Sequence, residues 1–355
     1  MPMIASAPGK LILTGEYAVL DGAPAIVVAV DRRAVARRNA TPRGSSPFLL
    51  AVADEIAARR GARDPAAQAA LEISVDSTAF YDTGGARRLA TSTLVRRSIT
   101  RELAANPGAR AATELASDRT KLGLGSSAAV TVAATALALG TADRHAVLEI
   151  AQAAHARAQG PRGARGSGAD IAASVYGGTL VFSRPGGEGP SQIEPRRWPP
   201  QVLLLPFFTG SSADTAQLVA RVAAEREVQR AAVDAALAAI AEASRAACSA
   251  LSAPADLAAV ALIGALALAA HATDRLAAAT GIDLVPACVT TARAALARLG
   301  GTAKTTGAGG GDVGIAVIPA TADAALAVRM LAEAGCQPLK IARDETGVDL
   351  RADAP

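Results

Sequence analysis

The run Gly123-Leu124-Gly125-Ser126-Ser127-Ala128-Ala129, followed at once by a helix-period apolar stretch to about Leu139, constrains this 355-residue chain more than any other feature. Glycines without Cβ let backbone N–H groups approach an anion. A helix N-terminus adds unpaired donors and a favourable dipole, and two serines add hydroxyls for a phosphate or Mg²⁺. These properties converge on a triphosphate. The blander alternative is a glycine turn with Ser126 as N-cap, but glycines, paired serines and small residues coming in one run at a helix start favour phosphate binding. No GKS or GKT closes the run, so it is not a Walker A loop.

Two further glycine-rich segments and one lysine point to the same chemistry. Thr305-Thr306-Gly307-Ala308-Gly309-Gly310-Gly311-Asp312 lies between two expected strands, where ordering so many glycines is costly unless the loop must lie flat against something. The reading is a ligand-facing loop, with Gly309 and Gly310 at the substrate. Gly166-Ser167-Gly168-Ala169-Asp170 enters a short helix. An acidic residue in a first turn has a bland explanation in the helix dipole, yet its small neighbours leave the carboxylate open to a ligand. Ser167 and Gly168 are therefore substrate candidates and Asp170 a catalytic one. Lys10, in Pro8-Gly9-Lys10-Leu11, is one of only four lysines beside Lys121, Lys304 and Lys340. A chain that otherwise uses arginine keeps a compact, movable charge here.

Composition removes other classes. Hydrophobic residues make up 51% and aromatic ones 3%, so the core must be filled by small aliphatic side chains. The formal charge of +4 is spread over scattered arginines, and with few aromatics and no recognisable nucleic-acid motif it suits a small anionic substrate better than a nucleic acid. Three separated cysteines, Cys248, Cys288 and Cys336, make neither a metal pair nor a disulfide framework, which suggests a reducing, cytoplasmic setting. The start MPMIASAPGK has no secretory pattern. Leu257 to Thr273 is uncharged but alanine-rich and reads as a half-buried helix rather than a membrane span.

Along the chain, strands are expected at Lys10–Thr14, Tyr17–Leu20, Ala25–Val30, Ala34–Arg38 and Leu71–Val75, with a polar, mobile stretch from Asn39 to Arg63. Helices follow at Ser126–Leu139, Asp143–Gln159 and Ala169–Tyr176, then a strand at Thr179–Phe182. Gly186 to Pro200 breaks all periodicity and divides the chain into 1–188 and 189–355. Beyond it come a strand at Val202–Phe207 and long helices at Ala213–Leu251 and Ala255–Thr280. The rest reads as a helix at Val285–Leu299, strands at Thr302–Thr306 and Val313–Ile318, a helix at Ala322–Ala334 and a strand at Gln337–Ala342, an order that suits a split βαβ sandwich.

Taken together, Ala7-Pro8-Gly9-Lys10, Gly123 to Ala129 and Gly307 to Asp312 resemble, in order, the three motifs of the GHMP family of small-molecule kinases. The resemblance implies an α+β fold, with a ribosomal protein S5 domain 2-like N-terminal domain on a ferredoxin-like C-terminal domain and the active site between them. It also implies ATP and Mg²⁺ as cofactors. Lys10 and Asp170 would be catalytic, and Lys121, Gly123, Leu124, Gly125, Ser126, Ser127 and Ala128 would hold the nucleotide, with Ser127 on the metal. Within the family, Gly15-Glu16-Tyr17-Ala18-Val19-Leu20 is similar to the branch whose acceptor is phosphomevalonate, in place of the GEHAVV form of mevalonate kinases. That likeness adds Glu16 and Tyr17 to the substrate contacts. Two departures stand out: Asp214-Thr215 occupies a position where that branch has Ser-Thr, and His155 stands where mevalonate kinases carry a Mg²⁺-binding Glu. Another GHMP kinase or a non-catalytic sensor of the same fold are the alternatives. Beyond the small-molecule substrate, no nucleic-acid or membrane partner is expected, and the protein would be a monomer or homodimer.

Overall fold

The apolar alternation at the start of the chain folds as two long strands rather than several short ones. The computed structural model describes residues 3–38, 46–82, 120–160, 166–187 and 189–353. Its first elements are β1 (Met3–Thr14), β2 (Ala25–Arg38), α1 (Pro47–Arg60), α2 (Pro65–Leu71), β3 (Ile73–Asp76), β4 (Tyr81–Asp82) and β5 (Thr120–Lys121). Next come α3 (Ser126–Leu139), α4 (Arg144–Gln159), α5 (Ala169–Tyr176), β6 (Thr179–Ser183), β7 (Gln192–Arg196) and β8 (Val202–Phe208). The remainder is α6 (Thr215–Val228), α7 (Arg230–Ala250), α8 (Ala255–Thr280), α9 (Ala287–Leu296), β9 (Thr302–Thr305), β10 (Val313–Pro319), α10 (Ala324–Glu333), β11 (Gln337–Pro338) and β12 (Asp349–Ala352).

The first sheet runs β12-β1-β2-β6-β7, with β3 also on β2. β1 and β2 are antiparallel, and their register shifts between Pro8 and Gly9, where the chain crosses the phosphate loop. A Cβ on Gly9 would lie 2.7 Å from the Leu124 carbonyl oxygen, so only glycine allows that approach. Tyr17–Leu20 does not extend as expected. Gly15 and Tyr17 both take positive φ, which turns the chain out of the strand, and Ala18–Asp21 closes as a 3₁₀ turn ended by Gly22 at φ 94°. A second correction concerns Asn39 to Arg63, whose latter part is the ordered helix α1. It starts on Pro47 and buries Ala51, Val52 and Ile56, and its Glu55 is held by Arg59 at 2.7 Å and Arg157 at 2.8 Å. Arg87 and Arg96 lie outside the described residues.

Helices α1 to α5 cover one face of this sheet around a core of Val52, Ile56, Val132, Leu137, Val147 and Ile171. Asp143 accepts a hydrogen bond from the Ala146 N–H at 2.9 Å, so the sequence's helix start is the N-cap of α4. The sheet does not divide at 188. β7 pairs with β6 and β12 pairs with β1, so strands from beyond the expected boundary complete the first sheet. Pro195 is compatible with β7 because that strand is an edge, where a missing N–H breaks no ladder.

The second sheet runs β11-β8-β10-β9, all antiparallel. With helices between β8 and β9 and between β10 and β11, this is the ferredoxin-like order expected from the sequence. The single helix expected over Ala213–Leu251 breaks at Gln229, which leaves helical geometry at φ −117°. β11 is short because Pro338 cannot donate to a ladder. α8 is long and apolar enough to cross a membrane, yet its inner face packs on α7 and buries Leu262, Leu266, Ala269 and Leu276. One apolar cluster joins the two sheets, with Leu11, Leu13 and Val28 from the first meeting Phe208, Val313 and Ile315 from the second and Leu262 from α8. The chemistry-bearing loops lie at the margin of this junction.

Candidate active site

The candidate phosphate loop, 123–129, is shaped by its glycines. Gly123 and Gly125 have φ of 70° and 76°, and Gly125 precedes α3 with no side chain capping the helix. The first-turn N–H groups of Ser126, Ser127 and Ala128 therefore lack intrahelical partners, as at any helix start. Lys10 comes to this loop from β1. Its backbone N–H donates to the Leu124 carbonyl at 2.9 Å, and its side chain lies so close over Gly125 that a Cβ there would be 2.9 Å from Lys10 Cγ.

Asp312, from the far end of the second glycine loop, closes on the same place. A Cβ on Gly123 would sit 2.3 Å from Asp312 Oδ2, so the missing side chain at 123 is filled by a carboxylate from the other sheet. Asp312 adopts φ 56°, unusual for a residue other than glycine. It is fixed there by its N–H to the Ser211 carbonyl at 2.7 Å and by the Thr209 N–H and hydroxyl on its own carbonyl at 3.0 and 2.9 Å. Burial pushes its carboxyl above the ordinary aspartate range, opposed by the Ala213 N–H and the charges of Lys10 and Lys121. Burial likewise lowers the Lys10 ammonium below the usual lysine value, while Asp170 and Asp312 pull it back up and Lys121 pushes it further down. Sequence reasoning saw Asp312 only as the end of a motif. The available signal was an acidic residue closing a glycine run.

Asp170 sits in the first turn of α5. Its Oδ1 accepts the Ile171 N–H at 2.9 Å, and its Oδ2 lies 3.9 Å from His155 Nε2. The same nitrogen is 3.2 Å from the Ser127 hydroxyl and 3.4 Å from Gln159 Nε2, and Phe48 stacks on the ring at 5.2 Å. His155 is buried and links the nucleotide loop to the catalytic candidate. Lys10, Ser127, Asp170 and Asp312 thus converge from β1, α3, α5 and the loop before β10. Among the described residues, no cluster of three His, Cys, Asp or Glu side chains could hold a metal by itself. Mg²⁺ still fits, because it keeps several waters and takes one or two protein oxygens beside substrate phosphates, and Ser127 and Asp170 offer such oxygens.

Other expected site residues fall differently. Ser167 Oγ accepts the Ala169 N–H at 3.3 Å and Gly168 takes φ 86°, so both shape the entry to α5. Glu16, expected at the substrate, is 2% exposed and ion-paired with the fully buried Lys304. Tyr17 is also turned inward, its hydroxyl donating to the Ala308 carbonyl at 2.6 Å. Gly309 and Gly310 pack against the chain itself: a Cβ on Gly309 would lie 2.4 Å from the Leu284 carbonyl oxygen, and one on Gly310 2.8 Å from Leu218. Gly307 alone among the loop's glycines has nothing within 4 Å. Asp214, the departure from the branch pattern, is engaged as the N-cap of α6, accepting from the Gln217 N–H at 3.1 Å.

Comparisons with known proteins point the same way as the motifs. Residues 95–178 match the family model for the GHMP kinases N terminal domain. The chain is 28% identical over 358 residues to a phosphomevalonate kinase of Streptomyces sp. (strain CL190), covering 90% of this chain and 91% of that one. It is 29% identical over 230 residues to a mevalonate kinase of Thermococcus sibiricus, covering 62% of each. In fold it matches the Streptococcus pneumoniae phosphomevalonate kinase in complex with phosphomevalonate and AMPPNP, with a TM-score of 0.67, 18% identity and coverage of 96% and 99%. A Lin0012 protein from Listeria innocua matches with a TM-score of 0.74 at 20% identity, covering 99% of this chain and 100% of that one.

Proposed function

For a chain that has the GHMP kinase fold and carries that family's N-terminal domain, we propose that it transfers the γ-phosphoryl of ATP to the phosphate of (R)-5-phosphomevalonate, giving the diphosphate and ADP. One observation carries the reading: the Lys10 side chain crosses Gly125 of the phosphate loop with Asp170 and Asp312 as its counter-charges. Both reactants are polyanions, so neutralisation is the first requirement. The backbone of Gly123 to Ala128, the α3 dipole and Lys121 hold the nucleotide, and Lys10 balances the charge that spreads over the transferring phosphoryl group. Ser127, with Asp170 nearby, would hold Mg²⁺. When bound, that ion neutralises the nucleotide's phosphate oxygens.

The preference for a phosphate acceptor rests on the nearly full-length similarity to a phosphomevalonate kinase and on the chemistry of Asp170. A phosphate monoester, with a second pKa of about 6, is already ionised at neutral pH and needs no general base. Asp170, tied by one oxygen to the Ile171 N–H, then serves to orient Lys10 and the acceptor beside Ser167 and Gly168. The second reading, an alcohol acceptor, is favoured by the mevalonate kinase similarity and would make Asp170 a proton acceptor. ADP release measured in parallel with phosphomevalonate, mevalonate and galactose separates them, and turnover with phosphomevalonate alone is the expected result. Asp170→Asn then loses roughly 10²-fold or less in kcat, against 10³ to 10⁴ for an obligatory base. Binding of both ligands without ADP formation would instead make the protein a sensor.

A further inference from the structure

Lys304 is another of the four lysines, and it is fully buried at the end of β9. Its ammonium donates to the Glu16 carboxylate and, at 2.7 Å, to the Thr305 carbonyl. Such a pair is a poor device for stability, because desolvating both charges offsets most of their attraction and a well-packed apolar pair often does as well. The surroundings are not optimised for stability either. Glu16 Oε2, Thr14 Oγ1 and Thr305 Oγ1 are buried with no hydrogen-bond partner among the described residues, whereas buried polar groups are ordinarily satisfied.

The position of the pair explains its retention better than its energy does. Glu16 is the second residue after the strand that carries Lys10, and Lys304 directly precedes the loop from Thr305 to Asp312. Other ties run between the same two segments: the Tyr17 hydroxyl to the Ala308 carbonyl at 2.6 Å, and the Gly307 N–H to the Ile12 carbonyl at 3.4 Å. To make its contact Tyr17 holds φ 57°, a costly conformation for a bulky side chain. Burial and the neighbouring Glu16 raise the Tyr17 phenol above its ordinary value, so it remains a donor. We infer that Glu16, Tyr17 and Lys304 are positioning residues. They pin the near end of the glycine loop to the Lys10 strand, and so fix Asp312 at its far end over Gly123 and beside Lys10. The consequence for turnover rests on the phosphoryl-transfer reading above; the tie itself does not.

The test uses Tyr17→Phe and the double variant Glu16→Gln/Lys304→Met, in which both buried charges are removed together. Each single member of the pair, left with an unpaired buried partner, is expected to unfold at lower temperature, and the double to recover most of that loss. Hydrogen exchange at the Gly307, Gly309 and Gly310 amides, followed without substrates, should accelerate in both Tyr17→Phe and the double. The kcat of both should fall by on the order of tenfold while the KM for ATP moves less than kcat. Unchanged exchange, or a folded double variant with the wild-type kcat, overturns the inference. Faster exchange in variants of a parent that does not turn over phosphomevalonate supports the tie while rejecting the substrate assignment.

Discussion

The two glycine runs look alike as text and differ in what their missing side chains make room for. At Gly123 and Gly125 the vacated space holds Asp312 and Lys10, groups brought from elsewhere in the chain to the N-terminal end of α3. At Gly309, Gly310 and Gly311 the space is taken by the Leu284 carbonyl, the Leu218 side chain and the Ser211 carbonyl, which are scaffold. The first run makes room for charged side chains, the second for close packing that delivers one carboxylate. A glycine count cannot tell these apart, since either demand excludes a Cβ equally well.

Substitutions can break or sharpen the contrast. Lys10→Met removes the charge that the first run accommodates and should lower kcat by on the order of 10³, with the fold intact by circular dichroism. Gly123→Ala forces Asp312 aside and strains a positive φ, and kcat/KM should fall roughly 10²-fold; wild-type activity would show that Asp312 need not stand there. Asp312→Asn should cost about tenfold and has a sign in the pH profile. Lys10 acts protonated and burial lowers its pKa from 10.5, so activity is lost as pH rises through a value below 10.5. Asp312 opposes that lowering, and its neutralisation should move the alkaline limb to still lower pH. The smallest effect on activity belongs to the second run. Gly309→Ala should destabilise by about 3 kcal/mol, from the left-handed backbone and the clash with the Leu284 carbonyl, while the folded fraction loses less in kcat than Asp312→Asn does. Gly307→Ala, with open space around it, should lose only about 1 kcal/mol in denaturant titration.

What the sequence made legible was local. The helix start at Ser126, α3 to α5, β6 and the αββαβ order after β8 all follow from periodicity and punctuation within short windows. Helix α1, apolar through Phe48 to Ala53, was missed because it was grouped with the polar sequence from Asn39 to Pro47. The 3₁₀ turn at Ala18–Asp21 was hidden because its apolar spacing mimics a strand until Tyr17 takes a positive φ. The remaining surprises are pairings across long separations: β7 and β12 on the first sheet, His155 with Ser127, Glu16 with Lys304, and Asp312 under Gly123. One of these had a trace in the text. Lys304, like Lys10, is a lysine kept in an arginine-using chain, and its compact ammonium fits a pocket that a planar fork would not.

The pairing of β12 with Met3–Ser6 sets the order in which the molecule can mature. The border of the strand bearing Lys10 stays unsealed on the ribosome until Ala352 has been polymerised, so the first sheet has to wait for a strand made long after its own first one. During that interval its bare backbone is a template for foreign strands. Proteolytic trimming after Gly347 would recreate this vulnerable state in the folded protein.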